Sequence, residues 1–154
     1  MDLTRVSLAA AGSAALLVAA FGFQHLGGLA PCEMCLWQRW PHAAAILIGA
    51  AALATGHRAL AALGAAALAV SVGLGLFHAG VEQGWWEGVT ACAGGAGLSM
   101  DPDALFDQIM TAPMVRCDQI AWSFAGLSMA AWNALLSAGL LALWLAALAR
   151  REQQ

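Results

Sequence analysis

At 154 residues, 62% hydrophobic and only 10% charged, with a mean hydropathy of +0.75, the chain carries more apolar side chains than a soluble domain of this size can bury. A small soluble globular fold is thereby excluded, and a membrane protein is expected. The formal net charge of −3, the absence of lysine and the lack of any basic run leave nothing with which to hold nucleic acid.

Four apolar segments are judged against the roughly 20 helical residues that cross about 30 Å of hydrocarbon. The first, residues 6–26, contains Ser7 and Ser13 but no charge. Read as a cleaved signal peptide, with Leu29-Ala30-Pro31-Cys32 as a lipoprotein-like box, it is too long for an ordinary apolar region and has a poor cleavage context in Pro31. The second, 36–54, is long enough only if Leu36 to Arg39 lie in the interface with Arg39 reaching outward. Pro41 leaves two starting points open, one near Pro31 and one near Trp40. The third, 59–79, follows so short a connection that it must form an antiparallel hairpin with the second; Ala67, Ser71 and Gly75 give it a small-residue stripe for a neighbouring helix. The fourth, 126–149, ends at Arg150 and Arg151.

The fold expected is an all-α, four-transmembrane-helix bundle forming a single domain over 1–154. Arg5, Arg58, Arg150 and Arg151 fall on one side of this path and Arg39 and Arg116 on the other, so the positive-inside bias puts both termini in the cytoplasm and all four cysteines outside.

The long outer loop, 80–125, has its own organisation. Trp85 and Trp86 suit an interfacial anchor, and Cys92 is followed by a glycine-rich run, Ala93 to Gly97, with little backbone restraint. Asp101-Pro102 is a helix-start signal, and Leu105, Phe106, Ile109 and Met110 form i,i+4 pairs, which predicts a short amphipathic surface helix over 102–111, ended by Pro113. Cys117 lies between Arg116 and Asp118, which bias its thiol in opposite directions.

The cysteines carry the chemistry. Cys92 and Cys117 read as a structural staple in an oxidising compartment, but Cys32 and Cys35 close too small a loop to stabilise much and have the spacing of exchangeable dithiols. If a helix starts near Pro31, its N-terminal partial charge favours the thiolate, and Cys32, Cys35, Arg39 and His42 recur at i, i+3, i+7 and i+10 on one face. A four-thiolate metal site is disfavoured because Cys92 and Cys117 are far apart in sequence, and haem attachment fails because Leu36, not histidine, follows Cys35.

Phe23-Gln24-His25, Pro31-Cys32-x-x-Cys35-x-x-Gln38-Arg39, the paired loop cysteines and Gly126-Leu127-Ser128-Met129 with Trp132 together resemble the DsbB family of disulfide-forming membrane quinone reductases, over nearly the whole chain. Glu33 between the redox cysteines and the glycine run after Cys92 are modest departures. The resemblance implies a bacterial inner-membrane thiol oxidase relaying electrons from a periplasmic thioredoxin-fold oxidase, DsbA, to ubiquinone or menaquinone. It implies that Cys92 is attacked by the reduced partner, that Cys117 resolves that bond or passes electrons toward Cys32, that Cys35 is the thiolate beside the quinone, and that Arg39 is the cation stabilising both.

His78 matches the family's histidine near the quinone and either serves as proton or hydrogen-bond donor or is an interfacial histidine satisfied by solvent. His25 is expected to be structural and His57 solvated, Glu33 to tune the thiols or face water, and His42 has no assigned role. Two alternatives remain. A vitamin K epoxide reductase-like enzyme has its loop cysteines before the CxxC, the reverse of the order here. A small transporter or assembly factor with a stapled loop would need intramembrane polar residues, of which the third and fourth spans supply almost none.

Overall fold

The computed structural model describes residues 1–88, 101–102, 106 and 115–149. Cys92, most of the expected surface helix at 102–111, and Arg150 and Arg151 lie outside the described residues.

Four long helices make up the described fold: α1 (Leu3–His25), α2 (Glu33–Thr55), α3 (Arg58–Glu82) and α4 (Met129–Ala149). Each packs on the next in sequence, and α4 closes the ring against α1. Three of them, α1, α3 and α4, are long and apolar enough to cross a membrane. At 23 residues α2 matches α1 in length, but Glu33, Gln38, Arg39 and His42 crowd its first turns and lower its hydropathy. Outward-facing side chains are apolar: Val18 on α1 and Leu47 on α2 are each 72% exposed.

Of the two starting points that Pro41 left open, the structure takes the earlier. The helix α2 runs unbroken from Glu33 through Pro41, and Cys32 is its N-cap, the sulfur accepting from the Cys35 backbone N–H at 3.2 Å. The α2–α3 connection is two residues long, with Gly56 in the left-handed region at φ 71°, a conformation glycine adopts without the Cβ penalty.

The fourth helix begins at Met129, three residues later than expected. Ala125 and Gly126 both have positive φ, 51° and 80°, and turn a two-residue hairpin between β1 (Ser123–Phe124) and β2 (Leu127–Ser128), pairing Ser123 with Ser128 and Phe124 with Leu127. Ser128 then caps α4 by accepting from the Ala131 N–H at 3.2 Å.

One end of the bundle is closed by backbone and charge. Asp2 caps α1 and pairs with Arg5 at 3.2 Å, its N–H reaches Ala147 O, and the Arg58 guanidinium donates to Leu148 O at 2.7 Å. Arg5 and Arg58 thus share an end with the C-terminus of α4, as the distribution of cations predicts. Inside, Trp144 is fully buried among Val6, Ala9, Ala45, Ala52, Ala61 and Leu68. The α3 stripe behaves as expected: Ser71 and Gly75 are buried, and a Cβ on Gly75 would lie 3.0 Å from the Ala134 backbone of α4.

Candidate functional site

At the opposite end, the N-terminus of α2 meets the C-terminal turns of α3. Cys32 is buried, Cys35 half-buried, and their sulfurs lie 2.8 Å apart as free thiols. Cys117 packs in the same buried cluster, with Met34 and Val81, and is itself in a disulfide. Its neighbours Arg116 and Asp118 pair with each other, guanidinium Nε to carboxylate at 2.9 Å, so their charges are largely spent on one another.

The helix α3 extends to Glu82, three residues beyond the expected span, and brings His78 and, one turn later, Glu82 beside the pair. His78 Nε2 is 3.6 Å from the Cys32 sulfur and 4.0 Å from a Glu82 carboxylate oxygen, while Glu82 accepts from the Ser128 hydroxyl. The Cys32 thiol is held far below the usual range, at about 4, chiefly by the hydrogen bond from the Cys35 thiol and, against the cost of burial, by His78 and the Cys35 backbone N–H. In this free dithiol the anion therefore sits on Cys32.

Behind His78 a line of polar side chains penetrates the bundle. His78 Nδ1 is 2.7 Å from Gln38 Nε2; Asn133 Nδ2 donates to Gln38 Oε1 at 2.7 Å; His42 Nε2 is 3.0 Å from Asn133 Oδ1 and 3.1 Å from the Ser71 hydroxyl. Sequence reasoning passed over Asn133 and Ser137 and read Ser71 only as part of a packing stripe; the expectation that the third and fourth spans supply almost no polar residues is corrected here, since Ser71 on α3 and Asn133 and Ser137 on α4 join this line. Glu82 and Ser128 were likewise not singled out as site residues.

These groups border a cavity of about 390 Å³, lined by Cys32, Cys35, Arg39, His42, His78 and Trp132 among mostly apolar neighbours. Arg39 is anchored to α1, donating to Gln24 Oε1 at 2.7 Å and lying 4.8 Å from the Phe21 ring centroid. The expected face of Cys32, Cys35, Arg39 and His42 is thus brought to one cavity. His25 is exposed and stacks on Phe21, His57 is exposed in the α2–α3 turn, and Glu33 is exposed, none of them on the cavity.

The cavity suits a flat, lipid-soluble ring carrying oxygens: it is of ligand size, mainly apolar, and bordered by two guanidinium groups, Arg39 and the Arg116 that is paired with Asp118. His42 Nδ1 is buried without a hydrogen-bond partner among the described residues. The ligating atoms of Cys32, Cys35 and His78 lie within 4.8 Å of one another, close enough for a metal ion. A metal-bound imidazole, however, donates its second N–H to an acceptor, and here the second nitrogen faces an amide NH₂. The donor set suits a sulfur anion.

Comparison with known proteins agrees with the motif. The family model described as disulfide bond formation protein DsbB matches residues 4–147. Proteins named disulfide bond formation protein B are similar along most of their length. That of Marinobacter nauticus is 32% identical over 90% of this chain and 86% of the relative, and that of Methylococcus capsulatus 35% over 82% of each. That of Xanthomonas oryzae is 34% identical over 85% of this chain and 80% of the relative. No solved structure matches. With the family model covering all but the chain's ends and relatives above 30% identity covering most of it, this chain belongs to the DsbB family of disulfide bond formation proteins.

Proposed function

We propose that this disulfide-forming oxidoreductase is a four-span bacterial inner-membrane enzyme that reoxidises a DsbA-like thioredoxin-fold protein and delivers the electrons to a membrane quinone. In this reading α2 is the fourth span, its polar first turns sheltered by the bundle, and both termini are cytoplasmic. The cysteines then face the periplasm, and the cysteine-bearing loop lies there too. The observation that carries the reading is the meeting of three cysteines and a cation at one place: Cys32 and Cys35 on a cavity lined by Arg39, with the disulfide-bonded Cys117 packed beside them.

We assign Cys92, the remaining cysteine, as the partner of Cys117. The reduced donor's thiolate attacks Cys92, and its second thiol closes the donor's own disulfide, leaving Cys92 and Cys117 reduced. Cys117 thiolate then attacks the Cys32–Cys35 disulfide at Cys32, and Cys35 leaves as the thiolate. Attack of Cys92 on Cys117 restores the loop disulfide and frees Cys32. Two electrons have moved from donor to the Cys32–Cys35 pair, one disulfide being made for each one broken. Cys35 carries the charge only while Cys32 is bonded to Cys117; in the free dithiol the hydrogen bonds favour Cys32.

A bound quinone supplies a two-electron, two-proton acceptor. Arg39, Cys35 and His78 would hold it: Arg39 through its cation, Cys35 as the half-buried thiol, and His78 through its Nε2 proton while Cys32 is bonded to Cys117 and bears no charge for that proton to serve. No metal is needed. Direction follows from potential, since a DsbA couple at about −120 mV is already strongly oxidising and yields electrons only to a higher-potential acceptor.

The test is reduction of ubiquinone or menaquinone analogues by the purified protein with a reduced thioredoxin-fold donor. Cys35→Ala is expected to abolish turnover, and unchanged turnover refutes the reading. Cys92→Ala is expected to abolish the trapped donor mixed disulfide while leaving the Cys32–Cys35 pair able to form.

A further inference from the structure

The polar chain behind the cysteines has a direction, and the direction is set by a backbone carbonyl. Gln38 Nε2 donates to Met34 O at 3.3 Å, one helical turn back, so the amide nitrogen, not the oxygen, faces His78 Nδ1. The reversed amide would press its oxygen against Met34 O. Because an amide NH₂ only donates, His78 Nδ1 is the acceptor and the ring proton lies on Nε2, which points at the Cys32 sulfur.

The same logic continues inward. Gln38 Oε1 faces Asn133 Nδ2, which leaves Asn133 Oδ1 to accept from His42. Three oxygens surround His42 Nε2, from Asn133, Ser71 at 3.1 Å and Ser137 at 3.3 Å, whereas His42 Nδ1 has no partner among the described residues; the His42 proton therefore lies on Nε2. Every step from His42 donates toward Asn133, then Gln38, then His78, then sulfur. Gln38, His42 and His78 are buried, and the chain draws on α2, α3 and α4 together.

We propose that Gln38, Asn133 and His42 form a hydrogen-bond chain of fixed direction that holds His78 as a neutral imidazole donating its Nε2 proton to the Cys32 sulfur. They are positioning residues: none touches the sulfur, and each sets the donor and acceptor roles of the next. Aligned donors polarise one another in a low-dielectric interior, so the chain strengthens the final bond beyond what His78 supplies by itself. A cluster serving packing only would have no reason to end on a thiolate.

The other charged groups nearby do not take over this role. Glu82 is 4.0 Å from His78 Nε2, beyond ordinary hydrogen-bond reach, and is engaged by Ser128; Arg39 is committed to Gln24 and the Ala20 carbonyl. The remaining partners of Cys32 are the Cys35 thiol at 2.8 Å and the Cys35 backbone N–H at 3.2 Å, while the Cys117 backbone shares the His78 ring with the sulfur.

The proposal rests on Cys32–Cys35 being the redox pair but not on the identity of the electron donor or acceptor, and its test uses neither. In the reduced full chain in detergent micelles, labelled with ¹⁵N-histidine and with His78 assigned through His78→Asn, the wild type is expected to show a protonated Nε2 and a bare Nδ1 at neutral pH. Gln38→Leu removes the lock, so Nδ1 gains proton occupancy and the alkylation midpoint of Cys32 rises by about one pH unit. Asn133→Leu gives a smaller change in the same sense. A wild-type His78 protonated on Nδ1 overturns the proposal. So do Gln38→Leu and Asn133→Leu variants whose His78 signals and Cys32 midpoint stay at wild-type values. Failure of quinone reduction with the His78 result intact would instead refute the proposed acceptor.

Discussion

At one end of the bundle Trp144 is enclosed by Gly49, Gly64 and the alanines of all four helices, so tightly that a Cβ on Gly64 would lie 2.6 Å from the indole ring. At the other end the helices part around a cavity of about 390 Å³, and the buried groups are thiols, imidazoles and amides. In lipid, water does not drive helices together, so association depends on close contact and on satisfied polar groups. The first end uses close contact, and the second gives it up for reactive groups and satisfies most of their polar atoms within the protein, His42 Nδ1 being an exception among the described residues. The contrast predicts that changes at the two ends separate, one set altering stability and the other altering sulfur chemistry.

The largest effect is expected at the sulfur. An ordinary thiol titrates near 9, whereas Cys32 is held at about 4, so at pH 6 the folded protein carries roughly a thousandfold more Cys32 thiolate than the unfolded chain. Because the folded value lies below the unfolded one, this contribution to stability is complete above pH 9 and is lost as pH falls through about 4. It exists only in the reduced form. Reduced protein is therefore expected to lose stability relative to its Cys32–Cys35 disulfide form between pH 8 and pH 5 in paired unfolding measurements, and equal losses in both forms would show that the site does not hold the anion.

Next in size is the packed end. Trp144→Ala removes the largest fully buried side chain and is expected to cost about 3–5 kcal/mol in detergent unfolding, while the pH profile of Cys32 alkylation stays in place. A shifted profile would mean that the two ends are coupled.

Much of this division is legible in the sequence. Hydropathy finds α1, α3 and α4, and the Cys32-x-x-Cys35 spacing with Arg39 one helical turn on finds the cavity face. The amphipathic register was readable because Cys32, Cys35, Arg39 and His42 share one helix. Gln38, Asn133, Ser71 and His78 come from three helices, and no local period relates positions 38, 71, 78 and 133; only packing brings them together. The hairpin at 123–128 was hidden for another reason. Leu127-Ser128-Met129 extends an apolar run, and hydropathy does not register the positive φ that Ala125 and Gly126 adopt.

The smallest effect is expected at Ser128, which stands on the border between the two kinds of structure. Its hydroxyl caps α4 through Ala131 and also donates to Glu82, beside His78. Loss of an N-cap costs about 1 kcal/mol, so Ser128→Ala should lower detergent stability by that amount and Ser128→Thr should restore it. The same substitution frees a carboxylate 4.0 Å from His78 Nε2, giving the imidazole proton an acceptor that competes with sulfur. Cys32 alkylation should then shift less than in Gln38→Leu, because the lock on His78 Nδ1 remains. A loss of stability with no change at Cys32 would assign Ser128 to the fold alone. A change at Cys32 of the size expected for Gln38→Leu would instead mean that Glu82, not the Gln38 amide, decides where the His78 proton is spent.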